Sequence, residues 1–416
     1  MNTLATPANL AVPLRHDAPT IGLVSVAHGL SHFCQLIVPP LFPWIAPAFG
    51  LSYTELGLLM TVFFVVSCIG QALAGFVVDH YGARRVLYAG MACLAVAALG
   101  LAASPNYATM MGFMALAGVG NCVFHPVDFS ILNGRVSQPR LGHAYAAHGI
   151  SGNLGWALAP VFVVGIAQLS SWRVALAAVA GVVTLALLAL VLWRDALDPA
   201  PRAAEGAAAA RSVSAADGSP FGFLRLPAVW FCFLFFLTFA VALSGVQTFG
   251  PAAAGQLHGV SAADIALCLS AYMFAAAAAM VLGGHLVRDP QRSARVVAVG
   301  FGLAALFALA IGFGDWPGWM VPVLFALMGL GAGVAGPSRD LLVKQATPAG
   351  ATGRVYGVVY SGLDVGQAIA PALLGLLMDA GAYRGVWIVI ALAQALLIVN
   401  GFTLRRRRQA AVLAAA

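Results

Sequence analysis

The sequence predicts an all-α polytopic membrane protein whose twelve transmembrane helices form two six-helix repeats of the same orientation. Of 416 residues, 61% are hydrophobic and 8% charged, whereas a soluble domain has roughly 45–50% apolar and about 25% charged residues. Apolar runs of the roughly 20 residues needed to cross a ~30 Å hydrocarbon core recur from end to end. The two halves also repeat one another at a fixed offset of 211 residues.

Taken in order, the first crossing spans 21–47, a full-length apolar run interrupted by His28, His32 and four prolines. No short apolar stretch followed by a small-residue cleavage site precedes it, so it is expected to stay as a helix. The second, 53–78, closes at Asp79 and the Gly82-Ala-Arg84-Arg85 turn, and the third, 86–104, at Ser104-Pro105-Asn106. The fourth, 107–132, ends at Asn133-Gly134-Arg135, and 142–168 and 173–193 complete the first half. The second half supplies 227–250, 263–287, 296–314, 318–342, 355–379 and 384–404, each bounded by charge or turn clusters.

These runs divide the chain into an N-terminal six-helix bundle (1–193), a linker (194–226) and a C-terminal bundle with a basic tail (227–416). The linker carries Arg194, Asp195, Asp198, Arg202, Glu205, Arg211 and Asp217 in an Ala/Ser/Gly/Pro background, which reads as flexible and aqueous. Of 21 Lys and Arg residues, Arg173 and Arg384 fall in odd-to-even connections and Arg339 inside a helix, leaving 18 for the N-terminus, the even-to-odd loops and the tail. Positive charge stays with the cytoplasm, so both termini are expected inside, in a multi-pass protein of the inner membrane. Arg405 to Arg408 then form an interfacial anchor. The +7 net charge is spread between apolar segments and gathers in no patch, which excludes a nucleic-acid partner. The six cysteines all lie in apolar stretches without a CxxC pair and read as buried thiols.

The repeat matches Gly118 and Gly120 with Gly329 and Gly331, Pro126 with Pro337, Gly142 with Gly353, Tyr145 with Tyr356, and Pro160 with Pro371. Near-constant register over more than 40 residues argues for a duplicated unit. Because six crossings are an even number, both copies point the same way, and alternating access becomes rocking of one half on the other.

Between the second and third crossings, Gly75-Phe-Val-Val-Asp79-His-Tyr-Gly82-Ala-Arg84-Arg85 resembles the cytoplasmic loop motif of the major facilitator superfamily. The glycines allow a tight turn, Asp79 can cap a helix end, and Arg84 and Arg85 can pair across a cytoplasmic closure. The C-terminal counterpart, Gly284-His285-Leu286-Val287-Arg288-Asp289, places Arg288 opposite Asp79, an asymmetric closure. His28-Gly29-Leu30-Ser31-His32, Gly118 through Pro126, and Gly149-Ile150-Ser151-Gly152-Asn153-Leu154-Gly155 resemble the fosmidomycin-resistance branch of that superfamily. The resemblance implies the twelve-helix fold, with no cofactor and no enzymatic activity. The glycine-rich fifth crossing ending at Pro160 resembles, loosely, a motif associated with antiport, which favours export.

At about 1.5 Å per residue, His28 and His125 lie ~11 Å and His148 ~9 Å from the predicted cytoplasmic ends of their helices, in one layer. His32 and Asn153 come at ~17 Å and Asp364 at ~14 Å, with Gln35 a turn beyond His32 and Tyr272 near mid-membrane. Together with Asn121 these form the expected substrate and proton pathway. An ionisable group in hydrocarbon faces a cavity, a partner or a pathway, so Asp364 is the leading proton carrier, with Ser361 as the hydroxyl that would hold it in a purely structural role. His28 and His32 can relay a proton or bind an anion when charged.

His28, His32 and His125 also form a transition-metal ligand set in principle. This is subordinate, because Cys34 points away from the His28/His32 face and the methionines are scattered. Asp128 and the pair Arg339 and Asp340 sit at helix ends, where Arg84, Arg85 and Arg354 are the expected partners; with Asp79 they make a cytoplasmic gate. Arg339 has a second use as a guanidinium for a carboxylate or phosphonate.

These residues point to a proton-coupled secondary transporter of a small organic, anionic or zwitterionic solute, exported from the cytoplasm, with the lipid bilayer as surroundings and a monomer sufficient for the cycle. The alternatives are an importer of an organic acid or metal chelate, a transition-metal transporter, and a non-transporting membrane sensor. The chain carries no HExxH, GxSxG or paired catalytic carboxylates, which argues against an enzyme.

Overall fold

The computed structural model describes residues 14–198, 222–286, 292–346 and 353–415, with 222–223, 262–263, 340–346, 353–357 and 404–415 described by backbone alone. Among these residues twelve helical spans are long and apolar enough to cross a membrane. The first is α1 (Leu14–Gln35) and α2 (Phe42–Phe49), followed by α3 (Tyr53–Tyr81) and α4 (Ala83–Ala103). The fourth is α5 (Tyr107–Asn121) with α6 (Phe124–Arg135), then α7 (Leu141–Leu169) and α8 (Trp172–Leu192). The second half has α9 (Pro227–Thr248) with α10 (Gly250–His258), α11 (Ala262–Leu286), α12 (Ser293–Phe313), α13 (Met320–Ala346), α14 (Gly353–Asp379) and α15 (Tyr383–Ala415).

Three crossings are broken, and proline marks each break. Pro39-Pro40 separates α1 from α2, and Gly250-Pro251 starts α10; these prolines are related by the repeat offset, since 40 + 211 = 251. Pro126 opens α6 after a turn at Cys122 and Val123. A proline removes one helical hydrogen bond and crowds the carbonyl four residues back, here Cys122 and Gln247 for the latter two.

The first helix already runs from Leu14, nearly two turns ahead of the start at 21 that the apolar run predicts. Asp17 is fully buried there, accepting hydrogen bonds from Ser137 and Arg140, the guanidinium at 3.0 Å, so a charged turn extends α1 because its charge is paired. The expected linker also begins docked. Thr20 donates to the Ala196 carbonyl at 2.6 Å, Leu197 is fully buried, and Asp198 pairs with Arg84 while its carbonyl accepts from Arg135 at 3.3 Å. Linker residues 199–221, with Arg202, Glu205, Arg211 and Asp217, lie outside the described residues, as do Arg288 and Asp289 and the side chains of Arg405 to Arg408.

Two seams join the halves. Along the first, α3 runs beside α14: the Asp379 carboxylate accepts from the Tyr53 N–H (2.7 Å), the Thr54 N–H (2.9 Å) and the Thr54 hydroxyl. Further in, Gly57 packs on the Pro371 carbonyl, Thr61 donates to the Ala368 carbonyl at 2.7 Å, and Gln71 donates to Asp364 at 3.2 Å. Along the second, α7 runs beside α11: Ser270 donates to the Ala157 carbonyl at 2.8 Å, and Asn153 Nδ2 lies 3.8 Å from Met280 Sδ.

The seams obey the repeat. Ala157 and Ala368 are 211 residues apart, as are Asn153 and Asp364, so a pseudo-two-fold axis carries one seam onto the other. Beyond Gln71 and Asp364, Phe129 and Tyr145 are 41% and 37% exposed.

Asp379 caps the N-terminus of α3 from the opposite half, and removing a capping side chain costs about 1 kcal/mol. Asp379→Ala is therefore expected to shift the balance roughly fivefold toward conformers with this end parted. Spin labels in the 50–52 and 380–382 turns measure it; an unchanged distance distribution would remove Asp379 from the closure.

A buried histidine and carboxylate cluster

Small residues in α7 bring α1 close enough to build the cluster. Gly155 packs directly on the Gly29 carbonyl, where any Cβ would collide with backbone. A Cβ on Gly152 would stand 2.9 Å from the His32 ring and 3.0 Å from His28 Nε2, so its missing side chain is the space the two imidazoles occupy. Gly149, the third member of the series, has no heavy atom within 4 Å of its would-be Cβ and takes no part in the approach.

Four imidazoles meet there. His28 stacks on His148 with ring centroids 3.5 Å apart, and lies 4.4 Å from His32 and 5.3 Å from His125. Trp156 covers His32 at 4.2 Å. The layer expected for His28, His125 and His148 is therefore real, and His32 joins it one turn along the same face of α1.

Asp128 belongs to this cluster, and its partners are His148 and His28 in place of the expected Arg84, Arg85 or Arg354. Its carboxylate is fully buried, with Oδ2 3.0 Å from His148 Nε2 and 3.1 Å from His28 Nδ1, the latter off the line of a hydrogen bond. Oδ1 has no hydrogen-bond partner. The break before α6 and the i, i+3 spacing put Asp128 and His125 on neighbouring positions of one helical turn. His125 is exposed whereas His28 and His148 are buried, so the cluster opens through His125.

Beside it runs a polar chain across four helices. Trp156 Nε1 donates to Gln35 Oε1 at 2.9 Å, Gln35 Nε2 to Asn121 Oδ1 at 3.0 Å, and Asn121 Nδ2 to Ser67 Oγ at 2.8 Å. Every amide here has a partner, as burial demands. Gln35 and Asn121 were singled out by the sequence; their partners Ser67 and Trp156 were not.

The remaining expected residues are placed separately. Asp364 accepts from Gln71 across the seam, while Ser361 donates to its own helix at the Val358 carbonyl, so Gln71 and not Ser361 holds the carboxylate. Asn153 also donates to the Gly149 carbonyl at 2.9 Å, and Tyr272 is buried with its backbone against Gly329. Arg84 pairs with Asp198 at the start of the linker, and Arg85 lines an apolar cavity of about 470 Å³ between α3, α4 and the α5–α6 turn. Asp79 is exposed at the end of α3. Arg339 lies over the Phe239 ring at 4.1 Å and the Phe236 ring at 5.9 Å. The side chains of Asp340 and Arg354 lie outside the described residues.

The repeat adds a relation that neither half shows alone. Adding 211 to Asp128 gives Arg339, and adding 211 to His28 gives Phe239. A carboxylate against an imidazole in one half is matched by a guanidinium against a phenyl ring in the other.

A model of the Major Facilitator Superfamily matches residues 24–325 and, in a second alignment, 255–415. The Fosmidomycin resistance protein of Escherichia coli (strain K12) is 24% identical over 377 residues, 89% of each chain. The uncharacterized MFS-type transporter YfnC of Bacillus subtilis (strain 168) is 27% identical over 143 residues, and that alignment spans 34% of this chain and 35% of YfnC. A bacterial homolog of the human lysosomal transporter Spinster, in an inward-facing and occupied conformation, superposes with a TM-score of 0.73 at 14% identity, covering 96% of this chain and 98% of that one.

Proposed function

Since the chain belongs to the Major Facilitator Superfamily and has the fold of a polytopic membrane transporter rather than of an enzyme, we propose that it exports a small anionic or zwitterionic organic solute in exchange for protons. The observation that carries the proton coupling is Asp364. This carboxylate sits within a membrane-spanning helix at the inner limit of the seam, held by Gln71 of the opposite half. Charge on it is costly in that setting and is tolerated where it faces a partner or a pathway. Taking up a proton there changes the charge at a contact between the halves, which links protonation to rocking.

The solute's charge is read from the two halves. Arg339 offers a guanidinium for a carboxylate or phosphonate, and Asp128 with its histidines offers the complementary end for a cationic group. Export is supported by the likeness to the Fosmidomycin resistance protein and by the glycine-rich face of α7. The distribution of Lys and Arg supports cytoplasmic termini, a reading in which the end closed by Asp379 faces outward.

The test uses purified protein in liposomes with entrapped pyranine. Fosmidomycin, simple alkyl phosphonates and dicarboxylic acids are first screened for a rise in melting temperature, then added with a pH gradient imposed in either direction. A binding solute that drives proton movement is the expected result. Proton coupling is rejected if a solute stabilises the protein yet moves no protons under either gradient.

A further inference from the structure

We propose that His28, His125 and His148, backed by Asp128, form a binding site for a divalent first-row transition-metal ion, entered through His125. One ligand nitrogen from each of the three imidazoles lies within 4.8 Å of the other two. A tetrahedral ion with metal–nitrogen bonds of about 2.0–2.1 Å needs its ligands roughly 3.4 Å apart, so closing the set takes side-chain adjustments of about an ångström. The three donors come from α1, α6 and α7, and the ion would tie these helices at one point.

Two buried atoms give independent support. Asp128 Oδ1 and His28 Nδ1 have no hydrogen-bond partner although both residues are at most 2% exposed. A buried polar atom left unmatched is costly, and a cation bound in the cluster offers such atoms a partner. Asp128 suits the second role as well. Its contact with His148 Nε2 is the carboxylate–imidazole arrangement that orients a metal-binding histidine and raises its basicity. His32, whose Nδ1 is also unpartnered, stands beside the three under Trp156 as a reserve ligand.

The donor chemistry defines the ion. Imidazole nitrogen and carboxylate oxygen suit Zn²⁺, Ni²⁺, Co²⁺ and Cu²⁺, and they are poor ligands for Cu⁺, which prefers sulfur. The thiols near in sequence do not enter. The Cys122 thiol is turned to the Val119 carbonyl, and Cys34 is buried outside the set. The ion could arrive bare or in a small chelate that leaves coordination positions open.

The experiment reads visible ligand-field absorption of Co²⁺ added to the full chain, purified in detergent without an oligohistidine tag. One arm uses Co²⁺ alone and the other a one-to-one Co²⁺–iminodiacetate complex. Intense low-coordination bands at one equivalent, displaced by Zn²⁺, are expected. Bands from the first arm alone indicate a bare-ion site, and bands from both admit a chelate.

Asp128→Asn is expected to weaken binding about 10–100-fold, and His125→Asn by at least as much. His125 is exposed, so its variant tests the site even where His28→Asn or His148→Asn fails to fold. A pale, octahedral spectrum in the unmodified protein overturns the proposal. So do bands unchanged in His125→Asn, since these would arise at His16, His80, His143, His258 or His285. Because the readout needs no gradient and no transport, it stands or falls separately from proton coupling through Asp364.

Discussion

Asp364→Asn leaves a protein that inserts, folds and exchanges solute down its gradient, but whose pH-driven accumulation falls to the level of empty liposomes. The asparagine keeps an oxygen where Gln71 Nε2 now donates at 3.2 Å, so the seam retains its bond. What is lost is a group able to change charge there. Solute exchange that varies with pH in the unmodified protein becomes flat across the same range in the variant. Asp364→Glu restores a titratable group one methylene further out and is expected to recover part of the accumulation. Gln71→Leu keeps the carboxylate and removes its partner, and is expected to alter rate more than coupling. Full pH-driven accumulation by Asp364→Asn would end the assignment of Asp364 as carrier.

Gly155→Ala is the second large effect. One added methyl meets the Gly29 carbonyl and, 3.0 Å away, the Phe33 backbone nitrogen, so relief requires α1 and α7 to move apart. Overpacking of this kind costs about 1–3 kcal/mol, a fall of roughly 1–3 °C in melting temperature for a chain of this length. Separating these helices also pulls His28 and His32 from His148, so the Co²⁺ bands go with the stability. The matched control is Gly149→Ala in the same helix. Its Cβ enters open space, and exchanging glycine for alanine in a helix gains about 0.5–1 kcal/mol. Equal melting temperatures for the two variants would show that the close approach of α1 and α7 does not hold the cluster together.

The crossings, their order and the duplication were legible because each follows from a one-dimensional signal: apolar length, charge between runs, and register. The histidine layer was legible for the same reason, since rise per residue fixes height along a helix. Height is silent about azimuth and about breaks. Asp128 was expected at a gate because its distance from the helix end is small, yet the side-chain reach across α6 to His148 and His28 closes that gap. Gln71 as the partner of Asp364 requires knowing how the two halves dock, which no local pattern carries. The added turns of α1 were missed because Arg15, His16 and Asp17 look like a solvated end until Ser137 and Arg140 are seen to pair with Asp17.

The exchange of Asp128 for Arg339 under the 211-residue offset bears on ancestry and assembly. Each charge is housed within its own half, Asp128 against His28 and His148 and Arg339 over Phe239 and Phe236, so two identical copies would hold either two carboxylate sites or two guanidinium sites and never one of each. The two copies are chemically unlike at these positions, and neither can supply the charge the other carries. Joining them in one polypeptide enforces a strict one-to-one stoichiometry and forbids the mismatched pairs that free subunits would form. The connecting segment is thus a safeguard on pairing as well as a tether.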